Sequence, residues 1–223
     1  MRTKTLLLTA VLSAAGIATS LAQGTVYSVN AVGYINLTIP PGFSIIANQL
    51  DNIVGSSPDN RLSALIPTAA DGTTVYKFTG SGYSISTYDV LQPGWLPNGN
   101  DTLNPGEAAF IRNSTSGNIT ITFVGQVPQG HLVNSIPANF SMKSSMVPQA
   151  GAVDSVLGLV PPLVQDGDTI YQFSNAQNKY VINTYDALQP GWLPATPVLQ
   201  VGEGFFIKKN GAGSWVRDFS VNQ

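Results

Sequence analysis

Few side chains in this chain can do chemistry. Among its 223 residues there is one histidine, His131, and no cysteine. A serine triad needs a histidine to relay the proton, and zinc needs a cluster of Cys and His ligands. His131 reads instead as a strand residue whose polar tip sits in water. The glycines are scattered in turns, not gathered between a strand and a helix as nucleotide-binding loops require. No cofactor and no metal is therefore expected. A carboxylate pair is the remaining route to hydrolysis, with Glu107 and Glu203 as matched candidates. Each follows a turn glycine and precedes an apolar strand, so a turn-stabilising acceptor role explains both, and the hydrolase is the least favoured reading. Asn98, Asn100 and Asp101 lie close together, but their spacing is not that of a calcium loop.

The richest constellation is TYDVLQPGWLP, Thr87 to Pro97, which returns as TYDALQPGWLP, Thr184 to Pro194. Tyr88, Asp89, Gln92 and Trp95, with Asn98, Asn100 and Asp101 beyond them, would form one binding loop; Tyr185, Asp186, Gln189 and Trp192 would form the second. A flat aromatic beside Asp and Gln can stack on a sugar ring while its neighbours bond the hydroxyls. The competing reading makes each Trp a plug that folds back over the core with its N–H on a carbonyl. Large aromatics are usually well buried, which favours the plug.

The elements that must position these loops are themselves duplicated. DGTTVYKFTG (Asp71 to Gly80) pairs with DGDTIYQFSN (Asp166 to Asn175), and PGEAAFIRN (Pro105 to Asn113) with VGEGFFIKKN (Val201 to Asn210). A repeat of this length is a small domain, not a solenoid unit. Period-two runs predict strands at 34–39, 43–47, 74–79, 83–88, 108–112 and 118–124, answered by 131–136, 140–144, 169–174, 179–185, 204–208 and 214–221. Asp59 to Ile66 and Asp154 to Val160 each carry a capping residue and helical spacing before a proline, which predicts a two-turn helix in each copy. The fold class is thus all-β: two tandem pseudo-equivalent antiparallel lobes, sandwich or barrel-like, each with one short helix. The lobes span 23–127 and 128–223, and Val127 to Gln129 is too short and stiff to be a flexible linker.

Arg2 and Lys4 precede an apolar stretch that ends in small residues at Ser20 and Ala22, the pattern of a signal peptide cleaved after residue 22. Its interspersed Thr, Ser and Gly argue against an anchor helix. The protein is expected to be exported, in the periplasm, at the cell surface or outside the cell, with no membrane span after processing. Removing that segment leaves eight basic residues against twelve acidic ones, and no basic cluster suits nucleic acid. Charged residues make up only 10% of the chain, against about 25% in an average globular protein, so the surface must be largely Thr, Ser, Asn, Gln and Gly.

The segments VNAVGYINLTIPPGFSIIANQL, VYKFTGSGYSISTYD, PGEAAFIRN and VGEGFFIKKN resemble uncharacterised exported two-repeat β proteins of verrucomicrobial and related bacteria. The resemblance implies a secreted all-β protein and brings no catalytic residues. From the residues themselves, the expected role is a non-enzymatic structural or adhesive one, with copies of itself as partners through edge strands such as Val26 to Val32. Glycan binding through the Trp95 and Trp192 loops is the alternative.

Overall fold

All twelve strands expected from the alternation are present in the computed structural model, which describes residues 31–222. The signal-peptide segment and the part of the terminal strand before residue 31 lie outside the described residues. The first copy contributes β1 (Val32–Ile39), β2 (Gly42–Ile46), β3 (Ile53–Val54), β4 (Ser57–Pro58), β5 (Thr74–Phe78), β6 (Tyr83–Asp89), β7 (Gly94–Leu96), β8 (Ala109–Asn113) and β9 (Ile119–Gln126). The second contributes β10 (Gly130–Ile136), β11 (Asn139–Lys143), β12 (Gly151–Ala152), β13 (Thr169–Ser174), β14 (Lys179–Asp186), β15 (Gly191–Leu193), β16 (Val198–Leu199), β17 (Phe205–Lys209) and β18 (Gly213–Phe219). Each copy builds one five-stranded antiparallel sheet, in the order β2-β8-β5-β6-β7 and β11-β17-β13-β14-β15, one long two-stranded ribbon, β1-β9 and β10-β18, and one short two-stranded pairing, β3-β4 and β12-β16. The strands missed from sequence are all two or three residues long, too short to show a period.

Each lobe encloses a core on the inner face of its five-stranded sheet. In the first lobe, Ile46, Val75, Ile111, Tyr88 and Trp95 meet Ile35, Ile39, Ile121 and Phe123 of the ribbon. In the second, Ile170, Phe205, Ile207, Tyr185 and Trp192 meet Ile136 and Trp215. Strand alternation sends the intervening residues to the other face, where neither sheet is left wholly to solvent. Ile45, Phe110 and Tyr76 from the first sheet pack with Met142, Phe206 and Phe173 from the second in a shared third cluster. The five-stranded sheets are therefore covered on the inner face and in part on the outer one, and residues from Ala31 on form one compact unit.

The shared layer is pseudo-two-fold. Phe78 meets Phe206 at 5.2 Å between ring centroids, and their counterparts Phe173 and Phe110 meet at 5.4 Å, both edge to face. Ala47 N–H donates to the Gly202 carbonyl at 2.8 Å, and Ser144 N–H donates to the Gly106 carbonyl at 3.1 Å. Reciprocity of this kind is the signature of an isologous interface, here built within one chain. The lobes approach closely at Ala108 and its counterpart Gly204, where a Cβ added to Gly204 would lie 2.3 Å from the Ala108 Cβ. This explains why Gly204 stands where the first copy has Ala108: two methyl groups do not fit there.

The expected helices are corrected. In the first copy only one turn forms, α1 (Leu62–Leu65), and its N-cap position is Arg61, with no side-chain cap. Asp59, the expected cap, instead accepts two hydrogen bonds of 2.7 Å from the Arg61 guanidinium. That hydrogen bonding holds the Asp59 carboxyl below its ordinary range. In the second copy the segment is a run of turns with no helix. Val156 and Leu157 N–H both reach the Ala152 carbonyl, mixing two hydrogen-bond registers, and Gly158 then turns left-handed at φ 75°.

Candidate functional site

The two TYDxLQPGWLP loops are positioned by matching hairpins, β6-β7 and β14-β15, which pair Tyr88 with Trp95 and Tyr185 with Trp192 across the ladder. Both indoles are 3% exposed. Each ring meets its tyrosine edge to face, at 5.5 Å in the first lobe and 5.6 Å in the second. Trp95 Nε1 donates to the Ile66 carbonyl at 2.7 Å, the plug geometry. Trp192 Nε1 has no partner among the described residues. With no free ring face, neither indole can serve as a stacking platform for a sugar.

The polar members of these loops are likewise engaged in the fold. Asp89 Oδ1 accepts the N–H groups of Leu91 (2.7 Å) and Gln92 (3.2 Å), and Asp186 Oδ1 does the same for Leu188 (2.7 Å) and Gln189 (3.1 Å). Asn98 donates to Ser84 at 3.0 Å, Asn100 accepts from Arg61 at 3.3 Å, and the Asp101 carbonyl holds the Leu62 N–H at 2.8 Å. The 98–101 segment therefore braces the start of α1. Glu107 accepts the Asn104 N–H at 2.8 Å and Glu203 the Gln200 N–H at 2.9 Å, each closing its own turn. Glu107 also meets Lys77 at 3.1 Å. Lys143, packed nearby, is held below the ordinary lysine range by burial, which outweighs the attraction of Glu107. His131 lies at the surface with Asp218, 2.8 Å from it and equally open to water. Among the described residues no group of three or more His, Asp or Glu could hold a metal ion, and no helix is long and apolar enough to cross a membrane.

What the structure adds is a pair of apolar grooves flanking the shared aromatic layer. One, of about 400 Å³, is walled by Phe43, Tyr76, Tyr83, Ile85 and Phe110 of the first sheet and closed by Phe173 of the second. Its counterpart, of about 430 Å³, is walled by Phe140, Tyr171, Tyr180, Ile182 and Phe206 and closed by Phe78. No charged side chain lines either groove, and both have the size of a ligand site. Phe43, Tyr83, Ile85 and their counterparts are 37 to 49% exposed. Desolvation pushes the phenols of Tyr83 and Tyr180 above the ordinary tyrosine range. Sequence reasoning missed these walls because it assigned each strand one wet face. The unbroken apolar runs Ala108 to Ile111 and Gly204 to Ile207 carry the signal of a sheet buried on both sides.

No family model, curated protein or solved structure matches the chain.

Proposed function

We propose that this chain is an exported, non-enzymatic structural or adhesive protein that works by associating with other copies of itself, akin to the exported two-repeat proteins it resembles. The observation that carries this reading is the pair of uncharged aromatic grooves, open to solvent on an otherwise compact body. Contiguous apolar surface of this kind is characteristic of interaction sites. The engagement of Glu107, Glu203 and Asp89 in their own turns supports a scaffold rather than a hydrolase. The sparse charge supports it too, since two copies can approach without strong repulsion. Light scattering of the chain lacking residues 1–22 tests the proposal. The mean mass should rise with concentration, and no ester, glycoside or peptide in a broad panel should turn over. A chain that stays monomeric at every concentration overturns the self-association, and turnover of any of those substrates overturns the non-enzymatic reading.

A further inference from the structure

We infer that the turn tips at Leu91 and Leu188 are knobs that seat in the aromatic grooves of a second copy of this chain. The inference rests on the self-association proposed above and assigns its contacts. Leu91 is 89% exposed and Leu188 93%, the two most exposed large apolar residues described. Nothing in the fold requires leucine there. The copies nonetheless agree at three of the four exposed tip positions, Leu91-Gln92-Pro93 and Leu188-Gln189-Pro190, with Val90 answered by Ala187 at the fourth, whereas other matched exposed positions have drifted, such as Tyr34 to His131 and Asn36 to Val133. Both tips are also held ready. Besides the Asp89 and Asp186 bonds, Asp71 accepts the Val90 N–H at 3.1 Å and Asp166 accepts the Ala187 N–H at 2.9 Å. A tip fixed in this way loses little conformational freedom when it docks.

The occupant is a second copy because one chain carries two knobs and two grooves of matching chemistry, and no tip can fill its own groove. β6 runs from Tyr83 in the groove wall to Asp89 beneath the tip, roughly 20 Å of extended strand at its usual rise. β14 separates Tyr180 from the Leu188 tip in the same manner. Reciprocal seating closes a dimer, and head-to-tail seating propagates a filament.

The test is sedimentation of three chains lacking residues 1–22: wild type, a tip variant (Leu91→Asp with Leu188→Asp) and a groove variant (Ile85→Asp with Ile182→Asp), each checked for an unchanged melting temperature. All four positions are at least 45% exposed, so the variants should fold. Each variant alone should associate at least roughly tenfold more weakly than wild type, the effect of losing one buried leucine or isoleucine contact. An equal mixture should regain association, because the tip variant keeps intact grooves and the groove variant intact tips. Wild-type association that the tip variant retains would overturn the knobs while leaving self-association standing, and failure of the mixture to recover would overturn tip-to-groove pairing. A wild type monomeric at every concentration would overturn both readings. Flotation of the wild type, but not the tip variant, with phosphatidylglycerol vesicles would assign the knobs to a lipid surface and overturn the second copy as occupant.

Discussion

Replacing Lys209 with methionine is expected to cost about 3–5 kcal/mol of folding stability, the usual penalty for stranding one member of a buried ion pair. Lys209 and Asp168 are fully buried and in contact. The ammonium also donates to the Leu163 carbonyl. The carboxylate accepts the N–H groups of Gln165 and Asn210, both at 2.8 Å. With Lys209 gone, the charge on Asp168 stays buried without a counter-ion. The duplicated chain contains its own comparison: the matching positions of the first copy are Thr73 and Asn113, both uncharged, with Asn113 bonded to the Ile39 and Gly117 carbonyls and the Thr73 hydroxyl without a partner among the described residues. The double change Asp168→Thr with Lys209→Asn removes both buried charges and should therefore recover part of the loss, the remainder reflecting the Gln165 and Asn210 N–H groups that lose their carboxylate acceptor. Chemical denaturation of the single and double variants measures this. A double variant no more stable than Lys209→Met would show that the two sites do not interchange.

Truncating Trp95 to alanine is expected to cost about 3–5 kcal/mol as well, a fall in melting temperature of roughly 6–20 °C for a chain of this size. The indole is buried against Tyr88 and donates to the Ile66 carbonyl. The two copies separate packing from hydrogen bonding. Trp95→Phe leaves the Ile66 carbonyl without its donor, which costs about 1–3 kcal/mol beyond the lost volume. Trp192→Phe removes an N–H that has no partner among the described residues, so it should cost less. Thermal melts of the two phenylalanine variants check the order, and a Trp192→Phe loss equal to or larger than that of Trp95→Phe would contradict it.

The strands were legible because alternation is a local signal, and it survives in both copies at the same positions: Ile119, Ile121 and Phe123 point inward in β9 as the period requires. The burial of both tryptophans was legible for a similar reason, since burial of a large aromatic depends mainly on its own size, but the expected N–H to carbonyl bond forms at Trp95 and not at Trp192. The helices were overestimated because Asp59, a good cap on paper, had a stronger partner two residues away in Arg61. Gly158 offered a left-handed exit that spacing alone does not reveal. The grooves were hidden for a different reason. Phe43 and Phe110 are far apart in sequence and meet through the β2-β8 pairing, and Phe173 joins them only when the two sheets stack face to face. The exposed leucines were hidden too, because a turn residue's exposure depends on how the flanking Asp fixes the chain.

The grooves exist only if the shared aromatic layer holds the two sheets against each other, so the cooperativity of the wild-type chain is the most direct test of the account. Scanning calorimetry should show one unfolding transition, with calorimetric and van't Hoff enthalpies equal, as for a single cooperative unit. Two resolved transitions, or a calorimetric enthalpy near twice the van't Hoff value, would mean that the lobes unfold independently. That result would contradict the fused body from which both grooves are built.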